Sequence, residues 1–539
     1  MRRAQAPLLN EEGLIALRRY VEKMEQARDP VVQRARAELF DTAYGVPLKP
    51  FSDADFIYCD APTGSGKTIA LPTLASRLAK HLGLPRIVVV LPYLVTCRQS
   101  TQVMRKLVAT AGIVVAEDTS GTPRDEDLRE QSWQGGMTVI SSVALLEMLN
   151  HFSEKRSAKW RLLHNAIIIL DDCCQWLSPE LSAYVLVRLL ELRDQGARII
   201  FSSATLPKYW EMPEIEALLG RRVKVVSLSI GSKISSQLSN RVAINRLPRA
   251  LNFAAVTKLA LEHRRFGSGL IVVNTVATTV RLAATLSHDL FDHYRVLSIS
   301  RLLCPHDKRR VENLIKDFLQ NPKDPVLLVA TSCVEAGWDV SFPWGMREES
   351  WISNLLQMVG RVNRHSEYGI NAPVYSFQLA DPLVRHNPQL RQQITCFQAM
   401  AAKLDSIRAD AITGATHRLM TDFAPRLLTN AKALVSALKH SDEDYIRKHA
   451  RLIKDVKNHC FGPISKLPEA IRCRLSDERG LAIDAGLAKA LDPYRIEVSS
   501  TIFEKLPWKF EKKIIDGEPW YFLHPEEYDP EKGGAQIDR

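Results

Sequence analysis

Short apolar runs recur along the chain, each followed by a few polar residues and then by a longer amphipathic stretch. The clearest runs cover 86–91, 166–170, 198–201, 269–273 and 326–330, rich in Val, Ile and Leu and without in/out alternation. Unalternated runs of this length predict strands covered on both faces, and amphipathic segments between them predict the covering helices. The pattern reads as an α/β protein built on parallel sheets. Pro92, Asp171-Asp172, residues 202–205, Asn274-Thr275 and Thr331 stand just past the runs. Open parallel sheets bind ligands at the carboxyl ends of their strands, so these positions are the first candidates for chemistry.

The flanks read differently. Residues 11–43 place Leu, Val and Ala at helical spacing among charges, and a proline-bearing linker follows at 46–50. Residues 215–251 have weaker periodicity and two basic patches, as expected of a connection between two α/β domains. From Asp381 the pattern is helical through Cys460, where Gly462-Pro463 would stop it, and alternation around Asp516-Gly517 predicts a hairpin. The division expected is an amino-terminal helical segment with linker (1–50), a first α/β domain (51–230), a second (231–385) and a carboxy-terminal accessory domain (386–539).

Composition narrows the class. The 539 residues are 46% apolar and 25% charged, which excludes a mostly disordered chain, a collagen and a disulfide-stapled miniprotein. A net charge of +11 fits a polyanionic partner such as nucleic acid, and fits a merely basic soluble protein equally well. Nine cysteines, scattered except for Cys173-Cys174 and without a C-x-x-C pair, point away from zinc and disulfides and toward a reducing cytoplasm. No apolar run approaches the ~18 residues of a membrane span, so no membrane association is expected.

The strongest motif is Ala61-Pro62-Thr63-Gly64-Ser65-Gly66-Lys67-Thr68, just after the apolar run 55–59. Glycines let backbone N–H groups wrap phosphates, the Lys67 ammonium neutralises the β- and γ-phosphates, and the Thr68 hydroxyl is placed for Mg²⁺. Thr63, Gly64, Ser65, Gly66, Lys67 and Thr68 are therefore the expected ATP-binding residues. A second anchor is the run ending in Asp171-Asp172. Asp171 would hold Mg²⁺ through water, and Asp172 would orient or deprotonate the attacking water.

Further strings follow in order: Ser203-Ala204-Thr205, Asn274-Thr275-Val276, 329–339 ending Glu335-Ala336-Gly337-Trp338-Asp339, and Gln357-Met358-Val359-Gly360-Arg361-Val362-Asn363-Arg364-His365. Together with the phosphate loop they resemble the superfamily 2 helicases, and within them the CRISPR-associated type I interference helicases. The tail 524–533 also resembles that family's segment after the motor. The resemblance implies two tandem RecA-like parallel-sheet domains with a mostly helical carboxy-terminal domain, and ATP with Mg²⁺ as cofactors. It implies that Lys67, Asp171, Asp172, Arg361 and Arg364 are catalytic and that Gly337 and Asp339 also bind the nucleotide. It gives Pro92, Ser141, Ser142, Asn274, Thr275 and Thr331 to the nucleic-acid backbone, and Ser203, Thr205 and Gln357 to coupling. Each hydroxyl or amide in that track is, taken singly, an ordinary capping or turn residue.

The implied activity is an ATP-driven motor on single-stranded DNA, moving 3′ to 5′ in CRISPR interference and recruited by a crRNA-guided complex. An RNA or repair helicase, and a non-hydrolysing recruitment module, remain open. The chain departs from the family at Asp172, where Glu is usual, at Cys174, where His is usual, and at Met358, where many relatives carry Arg. Relatives carry a fused His-Asp nuclease. Here His288-Asp289 and His306-Asp307 fall inside the second α/β domain without further ligands and read as structural, so a separate nuclease is expected. Trp508 and Trp520 among Lys505, Lys509, Lys512 and Lys513 read first as a hairpin with one apolar face, and otherwise as a base-stacking surface.

Overall fold

The computed structural model describes residues 30–535 apart from 63, 109–113, 120–132, 134–135, 151–153, 204–205, 207, 322, 336–339, 381–387, 402–427, 451–456, 477–489, 500–508, 516–517 and 530–533; before residue 30 it describes only 15, 18 and 19. The chain divides into two compact units, with the change at Arg241/Val242.

The first unit is built on seven strands, β1 (Phe56–Asp60), β2 (Arg86–Leu91), β3 (Val115–Asp118), β4 (Met137–Ser141), β5 (Ala166–Asp171), β6 (Arg198–Ser202) and β7 (Val225–Ser229). They lie in the order β3-β4-β2-β5-β6-β1-β7, every pair parallel. The central strands are buried on both faces, as their unbroken Val/Ile/Leu runs require. Register sets the site. Leu91 pairs with Ser141, and Asp171 pairs with Ser202, so the polar strand ends form one rim.

The second unit repeats the plan with β8 (Val242–Arg246), β9 (Gly269–Val272), β10 (Arg295–Ile299), β11 (Val326–Ala330), β12 (Trp344–Glu348) and β13 (Ala372–Phe377). Their order is β10-β11-β9-β12-β13-β8, again all parallel. Both units are thus the RecA-like parallel sheets expected from the sequence.

Residues 215–251 do more than connect. They supply β7, an edge strand of the first sheet, and β8, an edge strand of the second. Edge strands bury less, and β7 is only partly covered, which is why its apolar pattern is faint. The segment 46–50 is not an open linker either. Pro47 precedes a short helix, Leu48–Asp53, in which Pro50 lies in the first turn where its missing N–H costs nothing.

The carboxy-terminal third is shared between the units. Helix Thr429–Lys439 packs on helix Pro179–Asp194 of the first unit, and Asn150 Nδ2 donates to the Ala450 carbonyl at 2.8 Å. The second unit takes a four-stranded sheet of β14 (Lys457–Phe461), β15 (Arg495–Ser499), β16 (Phe510–Ile515) and β17 (Glu518–Leu523) in the order β15-β14-β17-β16. The helical pattern therefore ends before Lys457, and Phe461 pairs with Phe522 across the sheet. β16 and β17 form the expected hairpin, and Trp520 stacks on Phe461 at 5.2 Å, which places it in packing. Trp508 and Lys505 lie outside the described residues. Tyr528 ties this module to helix Pro305–Leu319: its hydroxyl accepts from the Cys304 N–H at 3.1 Å and donates to Asp307 at 2.8 Å.

Candidate functional site

The phosphate loop joins β1 to helix Lys67–Leu82. Gly64 and Gly66 have φ of +89° and +87°, a left-handed conformation that L side chains rarely adopt. Arg36 Cγ lies 3.2 Å from where a Gly66 Cβ would stand, so that glycine is also demanded by helix Pro30–Gly45. The Arg36 Nε donates to the Gly64 carbonyl at 3.2 Å and holds the loop from outside. The 16-residue helix begins at Gly66 without a side-chain cap. Its amino-terminal dipole is thereby available to an anion.

Lys67 is buried and donates to the Ala61 and Pro62 carbonyls at 2.8 and 3.3 Å. Asp171 ends β5. Desolvation and then the neighbouring Asp172 carboxylate hold the Asp171 carboxyl above the usual range, while the Lys67 charge, the Ser202 hydroxyl and the Asp172 N–H pull it back. Ser202 Oγ donates to Asp171 Oδ1 at 2.6 Å, and the Asp172 N–H donates to the same oxygen at 3.1 Å. Asp172 itself has φ 46°. A short polar side chain tolerates this region better than most. Loop glycines, an uncapped helix, a buried ammonium, a strand-end carboxylate and Thr68 in the first helical turn fit a nucleotide triphosphate with Mg²⁺ in their donor chemistry.

The sequence placed residues 202–205 among the first candidates for chemistry but gave a role only to Ser203 and Thr205. Ser203 is fully buried, and its carbonyl accepts from Tyr58 Oη at 3.2 Å. Register alone could have found Ser202, since it stands opposite Asp171. Cys173 is buried with its Sγ toward the Ser202 carbonyl at 3.5 Å, and burial pushes its thiol upward, as for a small packing residue.

Other candidates collect at the same rims. In the first unit, Ser141 caps helix Ser142–Leu149 by accepting from the Ala144 N–H at 3.2 Å, and Ser142 Oγ faces the Pro92 carbonyl at 3.4 Å. In the second unit, Thr275 caps helix Val276–Asp289 through the Thr278 N–H at 3.1 Å. Thr331 is mostly buried beside Cys333. The Asn274 amide is spent internally: Nδ2 donates to the Glu349 carbonyl at 2.8 Å and Oδ1 accepts from Arg347 at 2.7 Å. Its side chain is a brace between strand ends before it is a contact for anything else.

Gln357 and Met358 are buried on helix Ile352–Val359. Met358 fills the space against Gly345 of β12, a reason for an apolar side chain where relatives use Arg. Arg361 is buried and donates to the Val334 carbonyl at 3.3 Å and the Glu335 carbonyl at 2.7 Å. Arg364 is half-buried, and its backbone N–H donates to Ser341 at 2.9 Å. Thr63, Thr205, Gly337 and Asp339 lie outside the described residues. His288 is exposed and meets its neighbour Asp289, and His306 stacks on Tyr494 at 5.0 Å. Among the described residues no three His, Cys, Asp or Glu side chains are grouped to hold a metal.

Comparison with known proteins agrees with this fold. Residues 47–212 match the DEAD/DEAH box helicase family, and residues 265–367 match the carboxy-terminal part of the CRISPR-associated nuclease/helicase Cas3. A CRISPR-associated nuclease/helicase Cas3 of Haloferax volcanii is 37% identical over 353 residues, 50% of this chain and 37% of that protein. The chain thus matches little more than a third of the curated relative's length. A crystal structure of T. fusca Cas3 with AMPPNP superposes with a TM-score of 0.68 at 15% identity, covering 98% of this chain and 72% of that one. A chain from a CRISPR RNA-guided surveillance complex, pre-nicking, gives 0.61 at 15% identity over 92% and 70%. At that identity the superpositions speak for the fold. Family matches and fold together mark the chain as similar to Cas3-type superfamily 2 helicases through its motor.

Proposed function

We propose that this chain hydrolyses ATP and uses the energy to move along single-stranded DNA, 3′ to 5′, in the cytoplasm during CRISPR interference. A crRNA-guided complex recruits it, and a separate His-Asp nuclease cuts the strand. The observation that carries the reading is the convergence of Lys67, Asp171 and Ser202 on an uncapped helix start behind two left-handed glycines. Phosphoryl transfer asks the protein chiefly for positioning and positive charge, and this set supplies both.

In the mechanism, Lys67 exchanges the Ala61 and Pro62 carbonyls for phosphate oxygens. The exchange favours binding because a charge-assisted contact to phosphate is stronger than one to a neutral carbonyl. Thr68 and, through water, Asp171 would hold Mg²⁺, which would supply positive charge to the phosphates. Ser202 keeps Asp171 ionised and oriented, and Asp172 aims the attacking water. Gly337 and Asp339 add nucleotide contacts. Arg361 keeps its stretch braced on Val334 and Glu335, which favours Arg364 for the γ-phosphate. Pro92, Ser141, Ser142, Asn274, Thr275 and Thr331 meet the nucleic-acid backbone with backbone atoms and short hydroxyls, which read no sequence. Among the described residues no helix is long and apolar enough to cross a membrane.

The test is ATP hydrolysis with Mg²⁺ in the presence of no nucleic acid, single-stranded DNA or single-stranded RNA, with Lys67→Ala and Arg364→Ala as controls. Stimulation by DNA, lost in both variants, is the expected result. Stimulation by RNA moves the protein out of DNA interference. Nucleotide binding without hydrolysis makes it a recruitment module, an outcome that the shorter Asp172 would explain.

A further inference from the structure

β12 lies between β9 and β13, yet it ends in Arg347 and Glu348, with Glu349 next; these residues are 2%, 3% and 2% exposed. Burying charges at a strand end costs several kcal/mol per ion unless each finds partners. The partners come from the residues already assigned to other tasks. Arg347 Nη1 donates to Asn274 Oδ1 at 2.7 Å and to the Glu348 carbonyl at 2.8 Å. The Asn274 N–H donates to the Glu348 carboxylate at 2.7 Å. Arg347 Nε stands 2.7 Å from Glu335 Oε1, and Asn354 Nδ2 donates to Glu335 Oε2 at 2.7 Å. The Glu335 carbonyl accepts from Arg361 at 2.7 Å. A continuous path therefore runs from half-buried Asn274 through buried Arg347 and Glu335 to buried Arg361.

One link in that path is a buried ion pair. Burial pushes the Glu335 carboxyl up, and the Arg347 charge and the hydrogen bonds from Asn354 and Arg347 pull it back. In a dry site each charge depends on its partner, so a displacement of Arg347 at its Asn274 end is felt at Glu335.

We propose that Arg347 is a positioning residue that couples the strand end bearing Asn274 and Thr275 to Arg361, so that engagement of a nucleic-acid strand changes how the arginine segment is held. This rests on the ATPase reading above. Arg347 touches neither substrate; it acts through Asn274 and Glu335. Only a guanidinium serves both at once, because its donors fork in a plane, whereas an ammonium is a point charge on a flexible stem.

Arg347→Lys keeps the charge and removes the fork. In the full chain, stimulation of hydrolysis by an oligo-deoxythymidine strand should fall about three- to tenfold. Basal hydrolysis and affinity for a fluorescent ADP should stay within about twofold, since Arg347 bonds Asn274, Glu348 and Glu335 and the substitution keeps its charge. Asn274→Ala should lower the stimulation too, and the double variant should be no worse than the more severe single one. If R347K loses its cooperative unfolding transition, Glu335→Gln, which keeps the shape and the Asn354 bond, carries the same test. Retained stimulation in R347K, an equal fall in basal and stimulated rates, or additive single effects would overturn the relay. A wild-type protein that no strand stimulates would instead refute the function on which the relay rests.

Discussion

Gly269→Ala is the sharpest test of how the second unit is packed. Gly269 stands opposite Trp344 in the β9/β12 pair. A Cβ at Gly269 would lie 2.2 Å from Trp344 Cζ2 and 2.3 Å from Cε2. To reach ordinary contact the indole must retreat by about 1.2 Å. It has no room to do so, being fully buried, and its Nε1–H donates to the Gly267 carbonyl at 3.1 Å. Overpacking a core costs about 1–3 kcal/mol, and losing that hydrogen bond adds about 1 kcal/mol. For a unit of this size the sum corresponds to a fall of about 5–15 °C in the unfolding midpoint. Because the units need not unfold together, the assay is thermal unfolding combined with hydrogen exchange of peptides covering β9 and β12. Fluorescent ADP binding should be retained, because the phosphate loop belongs to the first unit. Adding Trp344→Leu should recover part of the loss, with a coupling of about 1 kcal/mol or more. A midpoint within about 2 °C of wild type, or strictly additive effects in the double variant, would refute the packing argument.

Three other outcomes are expected. Asp171 has its carboxyl raised by desolvation and by Asp172, so its contribution to stability is present below the unfolded carboxylate pKa and is lost as pH rises through the folded one. Without nucleotide, Asp171→Asn should therefore stabilise the protein at neutral pH by about 0.5–2 kcal/mol, shrinking in acid, while hydrolysis is lost; unfolding curves across pH measure it. Arg361→Ala strands two buried carbonyls and should cost about 1–3 kcal/mol of stability, whereas Arg364→Ala should change stability by no more than about 0.5 kcal/mol and still lose hydrolysis. Burial pushes the Cys59 and Cys97 thiols up to about 12. Mass spectrometry after brief alkylation near pH 8 should find both intact and the half-exposed Cys174 and Cys333 modified; equal labelling would contradict the burial.

The strands that were legible in the sequence are those whose surroundings are uniform. β2 and β11 run over the apolar stretches read from the pattern, because both faces of each lie under helices and every position has to be apolar. β12 was not legible. Trp344-Gly345-Met346-Arg347-Glu348 carries charges that a sequence reading sends to solvent, and only partners from distant segments make their burial tolerable. β7 and β8 were hidden for the opposite reason: edge positions relax the demand for apolar residues, so the segment resembled a connection. In the site, the phosphate loop announces itself because its chemistry is local, with glycines, lysine and threonine at fixed spacing. Ser202 and Arg347 do not, because their work depends on residues 31 and 12 positions away or more.

Local chemistry and patterning were thus legible along the chain: parallel sheets, a phosphate loop, carboxylates at a strand end and two arginines just past a short helix. Which hydroxyl orients Asp171, which side chains brace Arg361, and whether Asn274 faces outward or inward were settled only by strand register and packing. The reason is physical. A hydrogen bond or an ion pair needs its partner within about 3 Å, and the folded sheet, not the order of residues, decides which groups come that close.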